Sequence, residues 1–84
     1  MKTGYLIRSI PFPSQRYVGI TSDLEARIRA HNAGKSTYTA KYRPWQVVAT
    51  VSFEDDLRAE ALERYFKSGS GRAFANKHLW PPKL

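Results

Sequence analysis

The chain contains no cysteine, so it has neither a disulfide staple nor a thiolate metal site. It has only two histidines, His31 and His78, too far apart in sequence for a short metal-binding motif. No apolar run approaches the length of a membrane span. The N-terminal "MKTGYLIRSIPFP" has one lysine, but its apolar stretch is short and is broken by Arg8 and two prolines, so no signal peptide is read. A cytoplasmic protein with no membrane partner is expected. Acidic residues are also scarce. Asp and Glu number 7 against 14 Lys and Arg, leaving a net charge of +7 on 84 residues. Such an excess attracts polyanions over a Debye length, nucleic acid first. Basic charge on a small protein also serves solubility alone, so charge by itself leaves the function open.

Eighty-four residues make one domain, 1–84, with a thin core. "YLIRSI", Tyr5 to Ile10, is rich in strand formers and is closed by Pro11 and Pro13. "RYVGI", Arg16 to Ile20, is a second strand, near enough to pair as an antiparallel hairpin. Gly19 inside it marks a bulge or a close backbone approach. "TSDLEARIRAHNAG" carries helix signals. Ser22 and Glu25 have capping-box spacing, Asp23 suits the first turn, and Gly34 is a stop. Leu24 and Ile28 form its apolar stripe, while Arg27 and His31, four residues apart, project together beside it. "KSTYTAKYRPW" is expected to be a loop. "WQVVATVSF", Trp45 to Phe53, is the strongest strand. Leu57 to Lys67 is a second helix with Ala59, Leu62, Tyr65 and Phe66 on its packed side. "SGSG" ends it, "RAFANKHLW" supplies one or two helical turns, and "PPKL" closes the chain. The expected fold is α+β: a three-stranded antiparallel sheet flanked by helices in β-β-α-β-α order. Strand order does not follow from the pattern.

Four sequence pieces occur in a telling order: "GYL", then "YVG", then "DLEARIRAHN", then Ala59, Glu63 and Lys67 at four-residue intervals. Together they resemble the GIY-YIG nuclease superfamily, and its short stand-alone members most. "YVGITSDLEARIRAHNAG" with "YRPW" is the most specific part, and "ALERYFKSGSGRAF" the next. The resemblance implies a metal-dependent DNA endonuclease in repair or recombination; with no second domain in view to choose a target, a preference for branched, flapped or single-stranded structure is expected. It implies Tyr5, Tyr17, Arg27 and His31 as catalytic residues and Glu63 as ligand of one divalent ion, Mg²⁺ or Mn²⁺. In such nucleases a tyrosine helped by the histidine takes a proton from the attacking water, the arginine stabilises the phosphate, and the metal sits by the leaving oxygen. The alternative is a nucleic-acid-binding module of the same fold that cleaves weakly or not at all.

Elementary chemistry suits these types. An Arg fork is planar and always charged, matching charge that builds on phosphoryl oxygens. A hard cation keeps its waters, so one carboxylate and a substrate phosphate can hold it. Free tyrosine, with a pKa of about 10, is a poor base at neutral pH and needs a neighbour to take its proton or stabilise the phenolate. Taken singly, each residue also has an ordinary use: a hairpin tyrosine packs, Arg27 and His31 solvate a helix, and Glu63 and Lys67 form a surface ion pair.

Lys35, Lys41 and Arg43 flank Tyr38, Tyr42 and Trp45, a mixture of phosphate-binding cations and stacking rings. Trp45 is expected to pack on the sheet. Lys67 and Arg72 in "KSGSGR" frame either a phosphate site or a plain helix stop. The "GYL" motif lacks the usual β-branched residue before its tyrosine. The late asparagine of the family has no exact match, Asn76 lying about one residue out of step. With no second domain in view, specificity is assigned to this surface, to a homodimer or to a protein partner.

Overall fold

The computed structural model describes residues 1–81. Its elements are β1 (Lys2–Ser9), β2 (Arg16–Thr21), α1 (Leu24–Asn32), α2 (Thr37–Ala40), β3 (Trp45–Phe53), α3 (Asp56–Phe66) and α4 (Gly69–His78). Both strand pairings are antiparallel and the sheet order is β2-β1-β3. The hairpin therefore forms as expected, and the chain then crosses over so that β3 takes the far side of β1. Pro82, Lys83 and Leu84, most of the closing "PPKL", lie outside the described residues.

Being central, β1 is covered on both faces, and Gly4–Ile7 is a continuous buried run rather than an alternating one. Tyr5 and Ile7 point to one face, where they pack with Trp45 and with Tyr17, Leu24, Ile28 and Tyr42. Leu6 points to the other, against Phe66, Ala75 and Trp80, with Val18, Val48 and Leu62 around them. Three layers result: α1 and α2, the sheet, then α3 and α4. Each fully buried large side chain of these clusters contributes about 1.5–3 kcal/mol. A register shift between Leu6 and Ile7 steps the β3 partner from Ala49 to Val47, so Val48 is an added residue. The bulge lets both Val48 and Ala49 pack against the Leu6 side.

Helix α1 buries only His31 completely. It is held to the sheet by polar contacts as much as by Leu24 and Ile28. The Asn32 side chain clamps the backbone of Trp45, accepting from its N–H at 2.6 Å and donating to its carbonyl at 3.4 Å. This fixes the end of α1 against the start of β3.

Several sequence expectations are corrected. The N-cap of α1 is Asp23, whose Oδ1 accepts from the Ala26 N–H at 3.1 Å, and not Ser22 of a capping box. Thr21 Oγ1 in turn accepts from the Asp23 N–H. A carboxylate one residue nearer the helix takes the role because it reaches the free amide directly. The "KSTYTAK" loop contains a full turn of helix, α2. "SGSG" ends α3 but also begins α4, a ten-residue helix capped by the Ser68 hydroxyl on the Gly71 N–H. Gly71 is required there: a Cβ would collide with the Tyr65 carbonyl. Tyr65, expected in the core beside Phe66, is instead 42% exposed. The α1 stop is as expected, Gly34 adopting φ 81°. No helix of the described residues is long and apolar enough to cross a membrane.

Candidate active site

Tyr5, on the central strand, sends its ring across the edge strand β2 at its partner position, Gly19. No other residue fits beneath it, because a Cβ on Gly19 would stand 2.5 Å from the Tyr5 hydroxyl. The close approach expected at Gly19 is thus made by a tyrosine ring.

Two α1 side chains meet that hydroxyl. His31 Nε2 lies 2.9 Å away, and Arg27 Nε donates to the oxygen at 3.3 Å. With Arg27 as donor, the phenol proton points to His31 Nε2. His31 Nδ1 then carries its own proton and donates to Thr39 Oγ1 at 2.7 Å. The Thr39 hydroxyl continues to the Ser36 carbonyl at 3.5 Å. All donors and acceptors agree for one neutral tautomer. Thr39 is itself fixed, since its carbonyl accepts from Trp45 Nε1 at 2.8 Å.

The electrostatics favour this neutral state. Burial raises the Tyr5 pKa above 10, more than the Arg27 hydrogen bond and charge lower it. Burial, then the Arg27 charge, lowers His31 below 6.5. The hydrogen bond to Tyr5 is the main cause keeping Arg27 firmly protonated. Tyr17 completes the cluster, its ring edge-on to His31 at 5.1 Å and 6.3 Å from Tyr5. His31 and Tyr5, at 0% and 1% exposure, are shielded from water, whereas Tyr17 is partly open to it. The solvated-helix alternative therefore does not describe His31.

Glu63 stands on α3, the element against the opposite face, yet its charge reaches the site and contributes to raising Tyr5. Its side chain is 26% exposed, and Lys67 Nζ lies 3.5 Å from Oε2. Among the described residues no group of three or more His, Cys, Asp or Glu gathers into a metal cage. One part-exposed carboxylate suits a hard divalent ion that keeps its waters and takes phosphate oxygens.

The other sequence-chosen residues divide. Lys67 and Arg72 face a common cleft with Tyr17. Lys35, Lys41 and Arg43 are exposed along the α1–α2–β3 connection and do not line that cleft. The Arg43 guanidinium lies against Gly34, where any side chain would strike it. Asn76 accepts from Arg16 Nη1 at 2.6 Å. Thr39 and Arg16 escaped the sequence reading. Nothing local distinguishes a threonine in "STYT" or an arginine that opens a strand; folding alone brings them to the site.

The family model described as the GIY-YIG catalytic domain matches residues 1–77. The chain belongs to the GIY-YIG family. The UPF0213 protein of Lacticaseibacillus paracasei is 36% identical over 67 residues, 79% of this chain and 75% of that one. UPF0213 protein YazA of Bacillus subtilis is 40% identical over 52 residues, 61% of this chain and 52% of that one. The structure-specific endonuclease subunit SLX1 of Debaryomyces hansenii is 38% identical over 80 residues, 76% of this chain but only 23% of that one. The matched segment spans about half the length of the first UPF0213 relatives. The solution NMR structure of a UPF0213 protein from Bacillus halodurans is similar in fold, with a TM-score of 0.58 at 27% identity, covering 98% of this chain and 89% of that one.

Proposed function

We propose that the protein is a divalent-metal-dependent DNA endonuclease that selects its substrate by structure, acting in repair or recombination in the cytoplasm. The convergence of Arg27 and His31 on the one hydroxyl of Tyr5, beside Tyr17, carries this reading. Family membership and the likeness to a structure-specific endonuclease subunit support it.

In this reading the Tyr5 oxygen receives the proton of the attacking water as it passes its own phenol proton to His31. The phenol proton of Tyr5 has an acceptor in place at His31 Nε2, so negative charge on the oxygen develops as His31 becomes cationic and is met by Arg27. Thr39 holds the imidazole for that transfer. Arg27 also offers its remaining N–H groups to the phosphate. Glu63 would hold the divalent ion, Mg²⁺ or Mn²⁺, exchanging its Lys67 contact for it. When bound, that ion would supply positive charge for the leaving oxygen. The exposed Lys35, Lys41 and Arg43 provide phosphate contacts. Partner choice, whether a second copy or another protein, adds specificity.

The test is incubation with labelled linear, flapped and branched DNA in Mg²⁺, Mn²⁺ or EDTA, beside Glu63→Ala and Arg27→Ala. Metal-dependent cutting that both variants lose is expected. DNA binding without cutting of any substrate, unchanged in the variants, would instead select the binding module.

A further inference from the structure

Because β2 is an edge strand, both faces of the sheet open onto one cleft along its outer side. The cleft has a volume of about 500 Å³, within the range of small-ligand sites. Its floor is apolar: Val18, Phe66, Ala75 and Trp80. Tyr17 and Tyr38 form one wall, their rings 6.1 Å apart, with Tyr38 49% exposed. Three cations, Arg16, Lys67 and Arg72, rim it, and no lining residue is acidic. The Arg16 guanidinium stacks on Trp80 at 4.9 Å and donates from Nη1 to Asn76, but its buried Nε has no partner. An unmatched buried donor is costly unless a ligand oxygen or nitrogen answers it.

An aromatic and apolar recess with a cationic rim matches the two halves of a nucleotide, a flat base and its phosphate. A base stacked inside a duplex cannot enter such a recess, and duplex phosphates do not need one. We propose that this cleft takes a single unpaired nucleotide, its base against the exposed Tyr38 and over the Arg16 guanidinium that covers Trp80, and its phosphate at Arg72 and Lys67. The cleft shares Tyr17 with the candidate active site, so this nucleotide is a near neighbour of the bond to be cut. The proposal rests on the nuclease reading and narrows its substrates to DNA with an unpaired strand at the junction.

Binding in EDTA separates this proposal from cleavage. The probes are a fluorescently labelled blunt duplex and the same duplex with a single-stranded tail. The tailed probe should bind about tenfold tighter, a stacking-sized difference. Tyr38→Ala and Arg72→Ala, both at exposed positions, should remove most of that preference while their melting temperatures match the parent protein. Trp80 fluorescence should be quenched by the tailed probe, a signal that Trp80→Phe loses. Equal affinity for the two probes, or variants that weaken both equally, would overturn the proposal and leave the cleft an ordinary phosphate-contacting surface. Tail preference without cutting in Mg²⁺ or Mn²⁺ would sink the nuclease reading alone. Absence of binding to either DNA would sink both.

Discussion

Gly19 and Tyr5 face each other across the β1–β2 hairpin, and the tyrosine ring fills the space that any side chain on Gly19 would need. Gly19→Ala must push the phenol away from His31 and Arg27 or spread the strands. A stability loss of about 1–3 kcal/mol is expected in urea unfolding, the usual cost of overpacking. Cleavage should fall with it. An unchanged midpoint would show that the ring is free to move.

Acid should loosen the site through His31. Its folded pKa lies below 6.5 because of burial and Arg27, so the unfolded chain takes up the proton first as pH falls. The stability that neutral His31 contributes is complete above 6.5 and is lost as pH drops through that value toward the folded pKa. His31→Gln lacks this slope. Thermal melting from about pH 8 to about pH 5 should show the gap between the two proteins narrowing on the acid side. A constant gap would mean that His31 does not titrate differently on folding.

Thr39 orients the imidazole through its hydroxyl. Thr39→Val keeps the shape and removes the acceptor for His31 Nδ1–H, at a cost of about 1–3 kcal/mol for an unpaired buried donor. Thr39→Ser retains the bond. If orientation matters, the serine variant keeps the parent pH–rate profile while the valine variant shifts it. Identical profiles for both would reduce Thr39 to packing.

Arg27 should be the more demanding of the two α1 residues in cleavage assays. Arg27→Ala is expected to lower kcat by about 10²–10³-fold, the scale seen when a positioned charge donor is removed. Arg27→Lys keeps the charge but loses the planar fork that reaches both Tyr5 and a phosphate, so its rate should fall between the two. A lysine variant as active as the parent would argue against bidentate contact.

The cap of α1 offers a clean comparison. Asp23→Ala should cost about 1 kcal/mol, since the Ala26 N–H loses its acceptor. Ser22→Ala should leave thermal stability almost unchanged. The reverse order would restore the capping box to Ser22.

Much of the α+β pattern is written in local chemistry. β-branched and aromatic runs mark the three strands, Gly34 ends α1, and the four-residue spacing of Arg27 and His31 puts both on one side of a helix whatever that helix packs against. The errors are also local in kind. Ser22 and Asp23 are adjacent cap residues of similar strength, and spacing alone cannot choose between them. Two glycines and two serines read as a break hid the first turn of α4, because a helix packed tightly over Tyr65 needs Gly71 for reasons that only its neighbour reveals.

Residue types and their spacing along the chain thus determined the elements and a list of reactive side chains. Tertiary structure decided which of them meet. The crossover that makes β1 central buries Tyr5 and carries α1 over it, so residues 26 positions apart share a hydrogen bond. The same crossover leaves β2 on the edge, which opens the cleft where Arg16, Tyr38 and Trp80 come together. Strand order is a competition among long-range contacts, each costing chain entropy and repaid by burial on both faces of the sheet. No short stretch of sequence carries the outcome of that competition.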